Sequence, residues 1–100
     1  MNPAQTELLE SYARDFSEIK GLQAAHRIGY ALYDKAGQLG VVVCREAGQS
    51  CTRAVHCTLA EADLEFGRRL LRFLYENAIP PENACDVIRD ICTVAEECAG

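Results

Sequence analysis

The side chains able to do chemistry in this chain are six cysteines, two histidines and a set of arginines. Cys44, Cys51 and Cys57 are spaced by seven and six residues, and Cys85, Cys92 and Cys98 repeat that spacing. No Cys-x-x-Cys occurs, whereas zinc sites favour cysteine pairs two to four residues apart. Three fates are open to these thiols: burial as small hydrophobes, disulfide pairing, or metal ligation. Burial is the working reading, because cysteine is among the most buried residue types. The repeated spacing is taken as coincidence, since the first triplet falls on expected strands and the second on an expected helix. Cys51, His56 and Cys57 are the best local ligand candidates, but adjacent strand residues 56 and 57 face opposite ways. His26 and His56 meet only if the sheet brings them together, and both are expected at ordinary surface or boundary positions. The chain contains no Gly-x-Ser-x-Gly, phosphate-binding loop, dinucleotide fingerprint or His-Glu-x-x-His. No catalytic, cofactor-binding or metal-ligating residue is therefore assigned, and no cofactor is expected.

Arg68, Arg69 and Arg72 form the densest basic group, with Glu65 and Glu76 one helical turn from Arg69 and Arg72. That spacing favours ion pairs along a helix, each worth about 0.3–0.5 kcal/mol, over a binding patch. Asp86 and Asp90, four apart, read as an exposed acidic helix face, continued by Glu96 and Glu97. The formal charge of −5 is uneven. Residues 1–19 carry −3, residues 20–72 carry +3 and residues 73–100 carry −5. An acidic chain is a poor default binder of phosphate backbones, whose affinity rests on lysine and arginine displacing counterions. Nucleic acid is not the expected partner.

One hundred residues, 49% apolar and 25% charged, make a single α+β domain over 1–100. The longest apolar run, Leu39 to Cys44, is six residues, far below the roughly 20 needed to span a bilayer. The N-terminus has neither the basic region nor the apolar stretch of a leader. A cytoplasmic protein with reduced thiols and no membrane association is expected.

The elements that must position these residues follow from periodicity. Leu8, Tyr12, Phe16 and Ile19 recur at helical spacing, with Asn2, Pro3 and Gln5 as start signals and Gly21 as a stop. A helix is expected over about 3–20. From His26 the period becomes two. Ile28, Tyr30 and Leu32 alternate with smaller or polar residues, Asp34–Gln38 reads as a turn, and Leu39–Arg45 is a second strand. Glu46–Gln49 repeats the Ala-Gly-Gln turn, and Ser50–Cys57 is a third strand. Val41, Val42 and Val43 point to alternate faces, so both faces of the middle strand should lose water. One face can take the later helices; the other needs the N-terminal helix or a second molecule. Thr58 and Glu61 read as a capping box opening a helix to about Asn77, within which Gly67 marks close packing. Pro80-Pro81 then opens a last helix whose stripe runs Ala84, Val87, Ile88, Ile91, Val94, Ala95. The expected order is α-β-β-β-α-α, a three-stranded antiparallel meander packed with helices.

This order resembles that of double-stranded-RNA-binding domains. Those open the helix after the third strand with lysines, whereas Leu59–Glu65 carries three acids, and that resemblance is set aside. Ile79-Pro80-Pro81-Glu82-Asn83-Ala84-Cys85-Asp86-Val87-Ile88-Arg89-Asp90, with the strands and helix before it, resembles an uncharacterised Firmicutes-type family of short bacterial proteins. Its signature Pro-x-x-x-x-Asp-Val-x-x-Asp opens the last helix. The likeness spans about residues 26–92. Ala84 stands where those proteins usually carry a larger apolar residue, and the cysteines are outside the pattern. The resemblance implies a bacterial protein of unknown function and transfers no site residue.

The leading expectation is a small non-enzymatic interaction or regulatory domain acting on a protein partner or as a homodimer. A thiol-based metal or redox protein using Cys51, Cys57 and neighbours is the alternative. A weaker one is a nucleic-acid binder using Tyr30, Tyr33, Arg27, Arg45 and Arg53, which would have to share one sheet face.

Overall fold

The computed structural model describes residues 6–59, 63–91 and 95–99, the last five through their backbone. Along the chain run β1 (Thr6–Phe16), β2 (His26–Lys35), β3 (Gln38–Ala47), β4 (Ser50–Leu59), α1 (Leu64–Glu76), α2 (Pro81–Ile91) and β5 (Ala95–Ala99). The strands form one antiparallel sheet in sequence order, β1-β2-β3-β4-β5. The class is α+β, but among the described residues the meander has five strands instead of three, and the first element is a strand instead of a helix.

Residues 6–16, expected to be helical, form edge strand β1. A spacing of four, as between Tyr12 and Phe16, fits a helical turn and is also an even number, so it suits either period. The residues between decide. Glu10 and Arg14 would face solvent on a helix; in β1 they lie beside Tyr12 and Phe16 on the face that meets α1. Glu10 pairs with Arg68 at 3.2 Å, and the Arg14 guanidinium lies 4.7 Å from the Tyr75 ring centre while its Nε donates to the Tyr75 carbonyl. A bulge between Leu8 and Glu10 turns Leu9, not Leu8, toward the core. Asn2, Pro3 and Gln5 lie outside the described residues.

The hairpins fall where period two placed them. Ala36 (φ 54°) and Gly37 (φ 86°) form a two-residue loop between paired Lys35 and Gln38, with the twist of a type I′ turn. The second Ala-Gly-Gln is used one residue out of step. There Gly48 and Gln49 form the loop, Ala47 pairs with Ser50, and a bulge follows at Arg45/Glu46.

Two helix boundaries differ from expectation. Thr58 opens no helix; it sits in β4 opposite Gly40, and Glu61 lies outside the described residues. The N-cap is Asp63, whose carboxylate accepts from the Phe66 N–H at 2.8 Å. Helix α2 starts with Pro81 in the first turn, as expected, but ends at Ile91. Ala95, expected to extend its stripe, belongs to β5, which pairs with β4; Val94 lies outside the described residues.

Both helices pack on one face of the sheet. Ile28, Tyr30, Leu32, Val41, Val43, Val55, Cys57 and Leu59 meet Leu70, Leu71, Leu74, Ala84 and Ile88 there. At Gly67 an added Cβ would stand 3.1 Å from Leu32 Cδ1 and 3.3 Å from Leu39 Cδ1, so glycine fits this close approach and a methyl would push both leucines aside by a few tenths of an ångström. The Tyr30 hydroxyl donates to the Ile79 carbonyl at 3.0 Å, tying the sheet to the interhelix turn. Burial pushes this phenol up to about 12. Arg45 and Glu82 form a two-pronged ion pair between β3 and the first turn of α2, one contact at 2.8 Å. Held by that guanidinium, the Glu82 carboxyl drops to about 2.

Candidate functional site

The opposite face of the sheet carries no helix among the described residues. Strand register arranges it in four cross-strand rows: Leu8-Tyr33-Gly40-Thr58, Ser11-Ala31-Val42-His56, Ala13-Gly29-Cys44-Ala54 and Asp15-Arg27-Glu46-Cys51. The two middle rows hold small side chains, with Val42 and His56 the largest. The outer rows carry the polar and bulky groups. Arg27 Nε reaches Asp15 at 2.7 Å, and Leu8 is 54% exposed. At the other end, beyond Tyr33, lie Thr6, Lys35 and Gln38.

Gly40 leaves a hollow between Tyr33 and Thr58. A cleft of about 500 Å³ opens there, lined by Thr6, Tyr33, Gly40, Val42, His56 and Thr58 among others. That volume is within the range of small-ligand sites. Its walls offer an exposed imidazole, hydroxyls and a phenol ring over an aliphatic floor, groups that recognise by contact and hydrogen bonding.

The residues proposed from sequence scatter over both faces. His56 stands on the open face and Cys57 behind it in the core, as alternation requires. His26 is on the helix side, where its ring stacks on Phe16 at 4.8 Å and its Nδ1 donates to the Ala24 carbonyl. The two histidines are not brought together. Tyr30 is buried at 1% exposure and Tyr33 faces outward. Arg27 lies on the open face, whereas Arg45 binds Glu82 on the helix side and is register partner of Arg53. The shared arginine and tyrosine surface that a sheet-borne nucleic-acid site requires is not formed. Arg68, Arg69 and Arg72 pair with Glu10, Glu65 and Glu76.

The cysteines divide. Cys57 lies in the core, its sulfur 3.6 Å from that of Cys85, joining β4 to α2; each is disulfide-bonded, not the reduced thiol expected. Cys44 and Cys51 are thiols on the open face, the first half-buried and the second exposed, so burial does not describe them all. No group of three or more metal-ligating side chains gathers among the described residues. The open face as a surface was legible only through register. A two-residue loop at Ala36-Gly37 aligns Tyr33 with Gly40 and Ala31 with Val42, but the partners on β1 could not be found from a segment read as helix.

No family model, no curated protein and no solved structure matches the chain. No described helix is long and apolar enough to cross a membrane.

Proposed function

We propose that the protein is a small non-enzymatic interaction domain that pairs with a second copy of itself through the open face of the sheet. One observation carries this reading: α1 and α2 both cover the same face, and the other, lined by small residues in its two middle rows, is uncovered among the described residues. Four strands of about ten residues and one of five, about 4.8 Å apart, present roughly 700 Å². A standard interface buries about that much per partner. Small side chains allow two such faces to approach closely. Charge favours a particular geometry. Asp15 and Glu46, with Arg27 between them, leave one end of the face with a net charge of −1, and Lys35 stands at the other. A two-fold axis across the strands lays the acidic end of each copy over the lysine end of its mate. The scatter of His26, His56 and the arginines over both faces supports a binding role over a catalytic one. A cytoplasmic setting and the likeness to short Firmicutes-type bacterial proteins belong to the same proposal.

Light scattering over a concentration series tests it. The wild-type chain is expected to reach twice the monomer mass, and Ala31→Arg, at the centre of the face, to remain monomeric with an unchanged far-UV spectrum. A wild-type chain that stays monomeric at millimolar concentration overturns the reading, as does an Ala31→Arg variant that still dimerises.

A further inference from the structure

We propose that Cys44 and Cys51 form a reactive dithiol that closes to an intramolecular disulfide by exchange with a low-molecular-weight disulfide of the glutathione class. The dithiol lies on the same open face as self-pairing, so it is tested on dilute, monomeric chain, where the two readings fail separately. Both residues project on the open face, in neighbouring rows at the β3–β4 hairpin. Glu46 is the register partner of Cys51, and Cys44 precedes Glu46 by two residues on the same face. The bulge at Arg45/Glu46 draws the two strands out of regular step there and leaves Cys44 and Cys51 as diagonal neighbours across the hairpin. Missing side chains make the room. The Cys44 sulfur lies over Gly29, 3.6 Å from where a Cβ would stand.

The two thiols are chemically unequal. Cys51 is exposed and its Sγ–H reaches the Arg53 carbonyl at 3.6 Å. Cys44 is half-buried, and burial pushes its thiol up, with Cys51 and the Glu46 carboxylate adding to the effect. Cys51 is therefore the attacking group and Cys44 the resolving one. In the first step the Cys51 thiolate, its proton given to solvent, attacks one sulfur of oxidised glutathione. The glutathione S–S bond breaks, a Cys51–glutathione bond forms, and one glutathione thiolate leaves. In the second, the Cys44 thiolate attacks the Cys51 sulfur, forms the Cys44–Cys51 bond and expels the second glutathione. The protein dithiol loses two electrons and two protons, and the small disulfide takes them up.

Trypsin makes the outcome readable, because cleavage after Lys35, Arg45 and Arg53 puts Cys44 in peptide 36–45 and Cys51 in peptide 46–53. The reduced full chain, dilute and monomeric, is incubated with oxidised glutathione, alkylated, digested and analysed by mass spectrometry. Linked 36–45/46–53 peptides are expected as the main product. Cys44→Ser is expected to accumulate glutathione on Cys51, and Cys51→Ser to slow modification of Cys44 about tenfold. Stable glutathione on Cys51 of the wild-type chain, a link from Cys51 to any other cysteine, or equal modification of Cys44 in the Cys51→Ser variant each overturns the proposal.

Discussion

The two faces of one sheet are built from alternate residues of the same strands, yet they differ sharply in side-chain size. The helix side carries Ile28, Tyr30, Leu32, Val41, Val43 and Val55; the open side carries Gly29, Ala31, Gly40, Val42, Cys44 and Ala54. Large side chains fill the gap between sheet and helices, where about 25 cal/mol is gained per Å² of apolar area removed from water. Small ones keep backbone close to whatever approaches and leave little apolar area to lose if nothing does. The sheet thus concentrates its stability on one side and leaves the other available for recognition.

The largest effects should come from attacking the covered side. Leu71→Ala and Leu74→Ala each remove a fully buried side chain and are expected to cost about 2–5 kcal/mol in urea unfolding. Val42→Ala, on the open side, should cost less than about 1.5 kcal/mol at concentrations where the chain is monomeric. A Val42→Ala loss equal to that of Leu71→Ala would erase the contrast between the faces.

Gly67→Ala sharpens it. Alanine gains about 1 kcal/mol in helix propensity, but its Cβ would stand 3.1 Å from Cδ1 of the fully buried Leu32, which must shift to admit it. Overpacking of this kind costs about 1–3 kcal/mol, so a net loss of about 1 kcal/mol is expected in the same unfolding assay. A stabilised variant would show the helix–sheet gap to be looser than described.

Tyr30→Phe removes the hydroxyl bonded to Ile79 and should cost about 1 kcal/mol. The wild-type phenol stands near 12 against an ordinary value of 10. A phenol raised on folding favours the folded state below about pH 10 and loses that contribution as the pH climbs towards 12. The difference between wild type and Tyr30→Phe should shrink over that interval; a constant difference would count against a buried, neutral Tyr30.

The smallest effect belongs to the half-exposed Arg45–Glu82 pair. A carboxyl lowered to about 2 from 4.5 supports folding above about pH 4.5 and ceases to do so as the pH falls through 2. Solvent screening keeps the gain below about 1 kcal/mol. Glu82→Gln should therefore match wild type at pH 2 and fall slightly below it at pH 6. Equal stability at both values would remove the pair from the account.

Much of the framework was legible in the chain. Period two located β2, β3 and β4, the Ala-Gly-Gln tripeptides located both hairpins, and Pro80-Pro81 located the break before α2. Tyr12 and Phe16 misled because a spacing of four serves a helix and a strand equally. The deciding residues, Glu10 and Arg14, look like solvent-facing charges until Arg68 and Tyr75 are set opposite them. Thr58 and Glu61 formed a credible capping box, but Asp63 offered the same local chemistry five residues later, and pairing of β4 through Leu59 took precedence.

The sequence by itself determined the α+β class, the alternation that separates Tyr30 from Tyr33 and His56 from Cys57, and the close approach marked by Gly67. These depend on local periods and on the absence of a side chain, and both are written in consecutive residues. Tertiary structure decided that the first segment is a strand, that both helices choose one face, and that Cys44 and Cys51 become neighbours at a bulge. Those outcomes depend on which distant partner satisfies a backbone edge or a buried charge, and local sequence carries no record of that partner.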